Sequence, residues 1–361
     1  MTRAPGKRHS FTILGLVTSF CILPPALAHH SVVSNPALYE AENLVELEGE
    51  ITEVLWRNPH VRLRLRAIDD AGAAKVWELE LGAAGIKSLE RRGITSDFVR
   101  PGDRVRAAGF LSRWSPDSLG LLHLLLPNGE EYVDGNRELR WSNERMASEV
   151  QAIDAARIEA ARREADGIFR VWGANPDRRG PPHPRPSTYT HLLTEQGRAL
   201  AATFDPPTDN PELRCQQGMP TTMFDPVPIQ IVDAGDRILI RVEEHDVERV
   251  VHLGADAEAL DVPASPLGHS AGRWEGDTLI VTTDRIDWPY FDPYGTPQSD
   301  QMRYIETFSI AEDGGRLNYT FTATDPVMFS EPVVIEWPRS WTPGVELQVF
   351  DCIADWESTA G

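Results

Sequence analysis

The sequence predicts a mainly β protein: an OB-like five-stranded barrel, a connecting helix, and a larger antiparallel, calycin-like β-barrel. Three observations predict it. Short alternating or β-branched runs recur between Gly, Pro and Asn turn signals; the first half shows the order strand, strand, strand, helix, strand, strand; and the second half carries about nine short strands in succession.

The first 28 residues stand apart. Arg3, Lys7 and Arg8 precede the apolar run Phe11 to Leu23, which ends at Pro24-Pro25 and the small-residue pattern Ala26-Leu27-Ala28. This is the pattern of a secretory signal peptide. The run is shorter than the roughly 18 to 20 apolar residues a membrane helix needs, and nothing later reaches that length. Phe20 is too bulky to precede a lipidated Cys21. The expected product is a soluble periplasmic or secreted chain with no membrane insertion. Cleavage after Ala28 leaves 333 residues and moves the formal charge from −20 to −23. A field of that sign repels nucleic acid and anionic lipid.

Residues 29–137 form the first unit. Val45 to Trp56, His60 to Ile68 and Lys75 to Leu81 read as strands, Ala83 to Arg92 as a helix, and Arg104 to Phe110 and Leu119 to Leu126 as two further strands. Glu46, Glu48 and Glu50 alternate with apolar residues on the first strand, as Arg62, Arg64 and Arg66 do on the second. Period two puts each set on one face, and a hairpin through Arg57-Asn58-Pro59 lays the two ladders side by side.

Residues 138–166 read as a helical connector, with Met146, Val150, Ile153, Ala156 and Ala160 recurring at helical spacing. The last unit, residues 167–361, begins with a Pro-rich wrap that cannot donate a regular set of backbone hydrogen bonds. Its expected strands are Val227 to Val232, Arg237 to Glu243, Val247 to Leu253, Gly268 to Trp274, Thr278 to Asp284, Met302 to Ile310, Leu317 to Thr324, Val333 to Trp337 and Glu346 to Phe350. Closing such a meander removes its exposed edges, and a barrel of this size often keeps a cavity for one small ligand.

Two cysteines follow the leader, Cys215 and Cys352. In an oxidising compartment an even pair is most simply a disulfide, worth on the order of 4 to 5 kcal/mol in the chain-entropy treatment. The alternative is a pair of soft metal ligands, for which neighbouring histidines are absent from the local sequence.

The chemistry-bearing residues gather around the hairpin Gly268 to Val281. His269, His245, Arg273, Glu275 and Asp277 are the candidate catalytic set, since a His with a carboxylate is an acid–base pair near neutral pH. Arg249, Trp274, Tyr319 and Phe321 are the candidate ligand-binding set. The structural alternative makes Arg273 and Glu275 a pair tying the turn and Asp277 a turn residue. The chain contains no Ser nucleophile elbow, phosphate loop, zinc-protease helix or Cys-x-x-Cys pair.

The new terminus offers a candidate metal site, set against the alternative that exposed histidines there bind nothing specific. Cleavage after Ala28 frees the α-amino group of His29, whose pKa of about 7.7 leaves a useful neutral fraction. Amine and imidazole of one residue form a chelate, His60 supplies a third nitrogen, and such a set suits Cu(II). His30 is the alternative donor.

Two resemblances are carried by motifs. His29-His30-Ser31, Gly49 to Val54, Trp56 to Val61 and Pro101-Gly102-Asp103 resemble a family of small exported bacterial proteins known only as a domain of unknown function. Cys215, Gly218-Met219-Pro220, Gly268-His269-Ser270, Gly272 to Leu279 and Tyr319 to Pro326 resemble a second large family of exported bacterial proteins without an assigned activity. Together they imply an exported bacterial protein and carry over no catalytic residue. The functional expectation is binding of a small, largely apolar molecule in the second barrel, with a copper site at the mature terminus. The alternatives are an enzyme acting on that ligand by His/carboxylate chemistry, and a structural or partner-binding envelope protein.

Overall fold

The computed structural model describes residues 38–354, apart from 69–71, 83–84, 114, 136, 147–152, 175–183 and the side chain of Pro207. The expected signal peptide, His29 and His30 lie outside the described residues.

The first unit is a closed barrel. β1 (Tyr39–Leu55), β2 (Arg62–Ile68), β3 (Ala74–Leu81), α1 (Gly85–Arg91), β4 (Arg104–Ser112) and β5 (Ser118–Leu125) follow the order expected from sequence. The ring runs β1-β2-β3-β5-β4 and back to β1, and a parallel β3–β5 pairing closes it. That is the OB arrangement. β1 serves two neighbours because it turns a corner: Leu44 to Glu50 pair with β4, and Gly49 to Leu55 pair with β2. Gly49 sits where the two pairings overlap, and a Cβ there would lie 2.3 Å from the Arg66 carbonyl oxygen. Only glycine permits so close an approach. Ile51, Leu63, Leu65, Leu79, Leu119 and Leu121 fill the interior.

The outer face of this barrel carries the charge ladders. Arg66 bonds Glu50 at 3.0 Å, Arg64 bonds Glu53 at 2.7 Å, and Arg62 meets Glu80 at 3.2 Å. A bulge between Ile51 and Glu53 shifts the register, which gives Arg64 its partner at 53. A short β6 (Glu131–Val133) then pairs with β5.

The connector differs from the expected 138–166 helix. Among the described residues of this stretch, which exclude Val150, helix α2 covers Ala155–Glu164, with Asp154 as its N-cap. Upstream, the Glu131 carboxylate accepts backbone N–H groups from Arg140, Trp141 and Ser142 and holds that stretch as a loop. Met146 packs on the first barrel instead of continuing a helical stripe.

The second unit is a closed nine-stranded barrel with one additional strand. Its strands are β7 (Val171–Ala174), β8 (Ile229–Asp233), β9 (Arg237–Val242), β10 (Val247–Leu253), β11 (His269–Glu275), β12 (Thr278–Asp284), β13 (Arg303–Ile310), β14 (Arg316–Thr324), β15 (Val333–Glu336) and β16 (Arg339–Trp341). Sequential pairing runs from β7 to β14, and β16 bridges β14 to β7. β15 adds to β14 outside the ring.

Two expectations are corrected. The barrel is not wholly antiparallel: β10 and β11 run parallel, because residues 254–268 cross back before β11 begins. Gly272 permits that contact, since a Cβ there would meet Val251 Cγ1 at 2.7 Å. Residues 346–350 form no strand. Their backbone donors are taken by side chains, Gln348 N by Glu243 at 2.9 Å and Phe350 N by Asp246 at 3.0 Å, so this segment lies as a strap. No helix among the described residues is long and apolar enough to cross a membrane.

Candidate functional site

The two barrels meet around Asn58, which is 2% exposed. Its side-chain amide donates to the Phe350 carbonyl, its Oδ1 accepts from Ile86 N at 2.7 Å, and its backbone carbonyl accepts from Ile353 N at 3.1 Å. The strap is therefore hydrogen-bonded to the first barrel as well as the second. Cys352, in the strap, forms the expected disulfide with Cys215.

The turn joining β9 to β10 brings His245 to this junction. His245 and Asp246 both adopt left-handed backbone, with φ of 58° and 53°. Asp246 supports the turn by accepting from the strap, and the His245 ring lies 4.8 Å from that of Phe350. A ring nitrogen of His245 and the two sulfurs of Cys215 and Cys352 all fall within 4.8 Å of one another. This Cys-His-Cys cluster can hold a metal once its sulfurs are free, because a disulfide sulfur is a poor ligand and a thiolate a strong one.

His60 approaches from the first barrel. His60 Nδ1 is buried without a hydrogen-bond partner among the described residues, and so is His245 Nδ1. The nearest carboxylate oxygen to His60, Glu80 Oε1, is 3.9 Å away, beyond hydrogen-bond range. Burial pushes the His245 pKa down to about 4, the His60 charge adds to that, and Asp246 opposes it. His245 is thus a neutral imidazole at neutral pH, the form that ligates a metal. Burial alone would raise Glu80, but the His60 and Arg62 charges and hydrogen bonds from Tyr39 and Arg62 hold it below its usual value.

Half-buried carboxyl groups lie near the same turn. Desolvation raises Glu244 to about 8, with Glu212 and Glu243 adding to the effect, and raises Glu212 to about 7, with Asp292 adding. These acids hold protons near neutrality.

The hairpin residues are dispersed. His269 is buried, and its Nε2 contacts the Ala257 carbonyl oxygen at 2.8 Å, with the His252 ring 5.3 Å away. No carboxylate bonds to it among the described residues. Arg273 and Glu275 pair with each other at 3.1 Å on the exposed end of the hairpin, where Asp277 is also exposed. Trp274 is 42% exposed and packs edge-on against Phe169. The structure does not bring these groups together with His245.

Arg249, Tyr319 and Phe321 point into the second barrel. Arg249 Nη1 donates to Glu306 at 2.9 Å, its second Nη bonds both Glu306 and Thr283, and its Nε donates to Ser270. Tyr319 donates to Glu306 at 2.8 Å. Phe321 packs on Phe224 and Tyr304. The interior is filled: Trp172, Arg249, Tyr304, Phe308, Tyr319 and Phe321 are each at most 2% exposed.

A closely placed His–carboxylate pair exists elsewhere. His123 Nδ1 lies 2.7 Å from Glu131 in the first barrel, but Glu131 already accepts three backbone N–H groups, which marks the pair as structural. Outside both barrels, α2 roofs a cleft of about 320 Å³ that includes Phe169, Arg170, Gln230 and Trp341. Arg170 stacks on Trp341 at 4.5 Å.

Residues 18–119 match the model of DUF6152, a family of unknown function. The DUF6152 match takes in His29, His30 and His60 and ends just inside β5. His245, Cys215 and Cys352 lie beyond it. No curated protein matches the chain.

Proposed function

We propose that this is an exported copper-binding protein whose site lies where the two barrels meet. One observation carries the reading: two buried imidazole nitrogens, one on each barrel, lack hydrogen-bond partners among the described residues, and the two rings are near enough to interact electrostatically. Buried polar atoms are almost always paired, so two orphans at one junction call for a ligand. Imidazole suits copper, and His245 is held neutral for the purpose.

The mature terminus belongs to the same proposal. The described chain enters β1 at Tyr39, which hydrogen-bonds Glu80, the carboxylate facing His60. Nine residues lie between His29 and Tyr39, and extended chain spans up to about 3.5 Å per residue. His29 can therefore reach His60, adding an amine and an imidazole; His30 has similar reach. The apolar leader and the disulfide support export.

The test is Cu(II) titration, followed by calorimetry and electron paramagnetic resonance, of protein beginning at His29. It is compared with His60→Ala, His245→Ala and a form extended by one residue before His29. One tightly bound Cu(II) with nitrogen hyperfine structure is expected, weakened at least about tenfold in each variant. Unchanged stoichiometry and affinity in a His60→Ala/His245→Ala protein would overturn the reading.

A second reading moves the small-molecule site out of the filled barrel. The cleft under α2 has the size of small-ligand sites, roughly 300 Å³ and upward, and offers aromatic surface beside a cation. Quenching of tryptophan fluorescence by aromatic carboxylates, lost in Arg170→Ala, would support it; no quenching across such a panel would end it.

A further inference from the structure

We infer that Cys215 and Cys352 are a redox gate, and that in the dithiol state they join His245 in a site for Cu(I). The inference rests on the copper reading above in placing His245 at the metal, and adds the oxidation state and the sulfur donors.

The geometry of the cluster carries it. The two sulfurs and a His245 nitrogen lie within 4.8 Å of one another. A three-coordinate site with bonds of about 2.0 to 2.3 Å has edges of roughly 4 Å, so the imidazole must close on the sulfurs by up to about 1 Å while the sulfurs, once unbonded, part by roughly 2 Å. Each donor is held by contacts independent of the S–S bond. Cys352 is flanked by Phe350 N bonded to Asp246 at 3.0 Å and Ile353 N bonded to Asn58 at 3.1 Å. Cys215 N bonds the Glu212 carbonyl at 3.0 Å. Opening the disulfide therefore leaves both thiols beside the imidazole.

Both cysteines are partly exposed, so a reductant can approach. A dithiol supplies the electrons. One of its thiolates attacks a sulfur of the Cys215–Cys352 bond, the other resolves the mixed disulfide, and two electrons and two protons pass to Cys215 and Cys352 as the reductant becomes a disulfide. Cu(I) then displaces the two thiol protons and remains at the +1 state. Soft thiolates favour Cu(I) over harder ions, so reduction converts a nitrogen site for Cu(II) into a sulfur–nitrogen site for Cu(I).

The experiment uses the full mature protein, reduced by a dithiol that is then removed without air, and titrated with Cu(I) held by a chromophoric chelator. The reduced protein is expected to withdraw one equivalent of Cu(I), with sulfur scattering in X-ray absorption. The disulfide form should withdraw at least about a hundredfold less. Cys352→Ser should lose the effect, and His245→Ala should weaken it about tenfold or more. Circular dichroism monitors the fold of the reduced chain. A folded reduced protein that takes no Cu(I) overturns the inference, as does unfolding on reduction. Cu(II) binding by the disulfide form is scored separately: if it persists while Cu(I) binding fails, only the gate falls, and if His245→Ala alters neither, both readings fall.

Discussion

Arg91 of α1 and Glu243 at the end of β9 form an ion pair across the two barrels, Arg91 Nη1 donating to Glu243 Oε1 at 2.6 Å. The Glu243 side chain is only 2% exposed, and its other oxygen accepts from the strap at Gln348 N. One carboxylate therefore ties together the first barrel, the second barrel and the strap.

Removing the cation should cost more than the bond. Arg91→Ala leaves a buried carboxylate without its counter-charge, which typically costs about 3 kcal/mol or more. The expected outcome is a lower thermal midpoint and earlier proteolysis at residues 346–354, read by calorimetry and mass spectrometry. A midpoint within error of the parent would show that the pair is dispensable.

The second barrel depends on Arg249 and Glu306. Glu306→Gln strips the buried guanidinium of its charge partner and is expected to cost about 3 to 5 kcal/mol. Arg249→Met combined with Glu306→Leu removes both charges and should recover much of that loss. Urea unfolding of the two variants separates them, and equal destabilisation of both would mean that packing dominates.

His269 should prove structural. His269→Ala removes its contact with the Ala257 carbonyl and is expected to cost about 1 to 2 kcal/mol. Copper uptake should stay at the parental level. Loss of copper with full stability retained would return His269 to the functional site.

Stability should fall as the pH rises toward 8. Glu244 titrates at about 8 in the folded chain and near its ordinary value of 4.5 when unfolded. Between those values the folded state binds the extra proton, so the unfolding free energy decreases with increasing pH. The contribution is fully present below pH 4.5 and lost through pH 8. Its size, reduced for partial solvent access, is on the order of 2 kcal/mol. Glu244→Gln should flatten this slope in unfolding curves taken from pH 5 to 8; an unchanged slope would place the titration elsewhere.

The first barrel was legible because its strands alternate. Period two in Val61 to Arg66 fixes one buried and one charged face, and the helix between the third and fourth strands fixes the topology. The Cys215–Cys352 bond followed from an even cysteine count after the stretch read as an export leader. Strands β7 and β16 were not legible, since three or four residues carry no periodicity and their neighbours hold them in place. The direction of β11 was hidden for a different reason: alternation describes a strand's faces and says nothing of its sense. Glu306 had left a signal. It stands between Tyr304 and Phe308 at inward positions, where a carboxylate requires a partner, and Arg249 stands likewise before Val251. His245 was singled out in sequence but grouped with the hairpin residues, because its nearness to sulfur depends on a turn with two left-handed residues, far in sequence from either cysteine.

The strap has a temporal consequence. A chain is synthesised from its amino terminus, and domains fold largely as they emerge. Both barrels can close before residues 346–354 exist, so the junction around Asn58 is finished only when Phe350, Cys352 and Ile353 arrive. Translation that stops before residue 346 would leave two barrels without the segment that bonds them to each other.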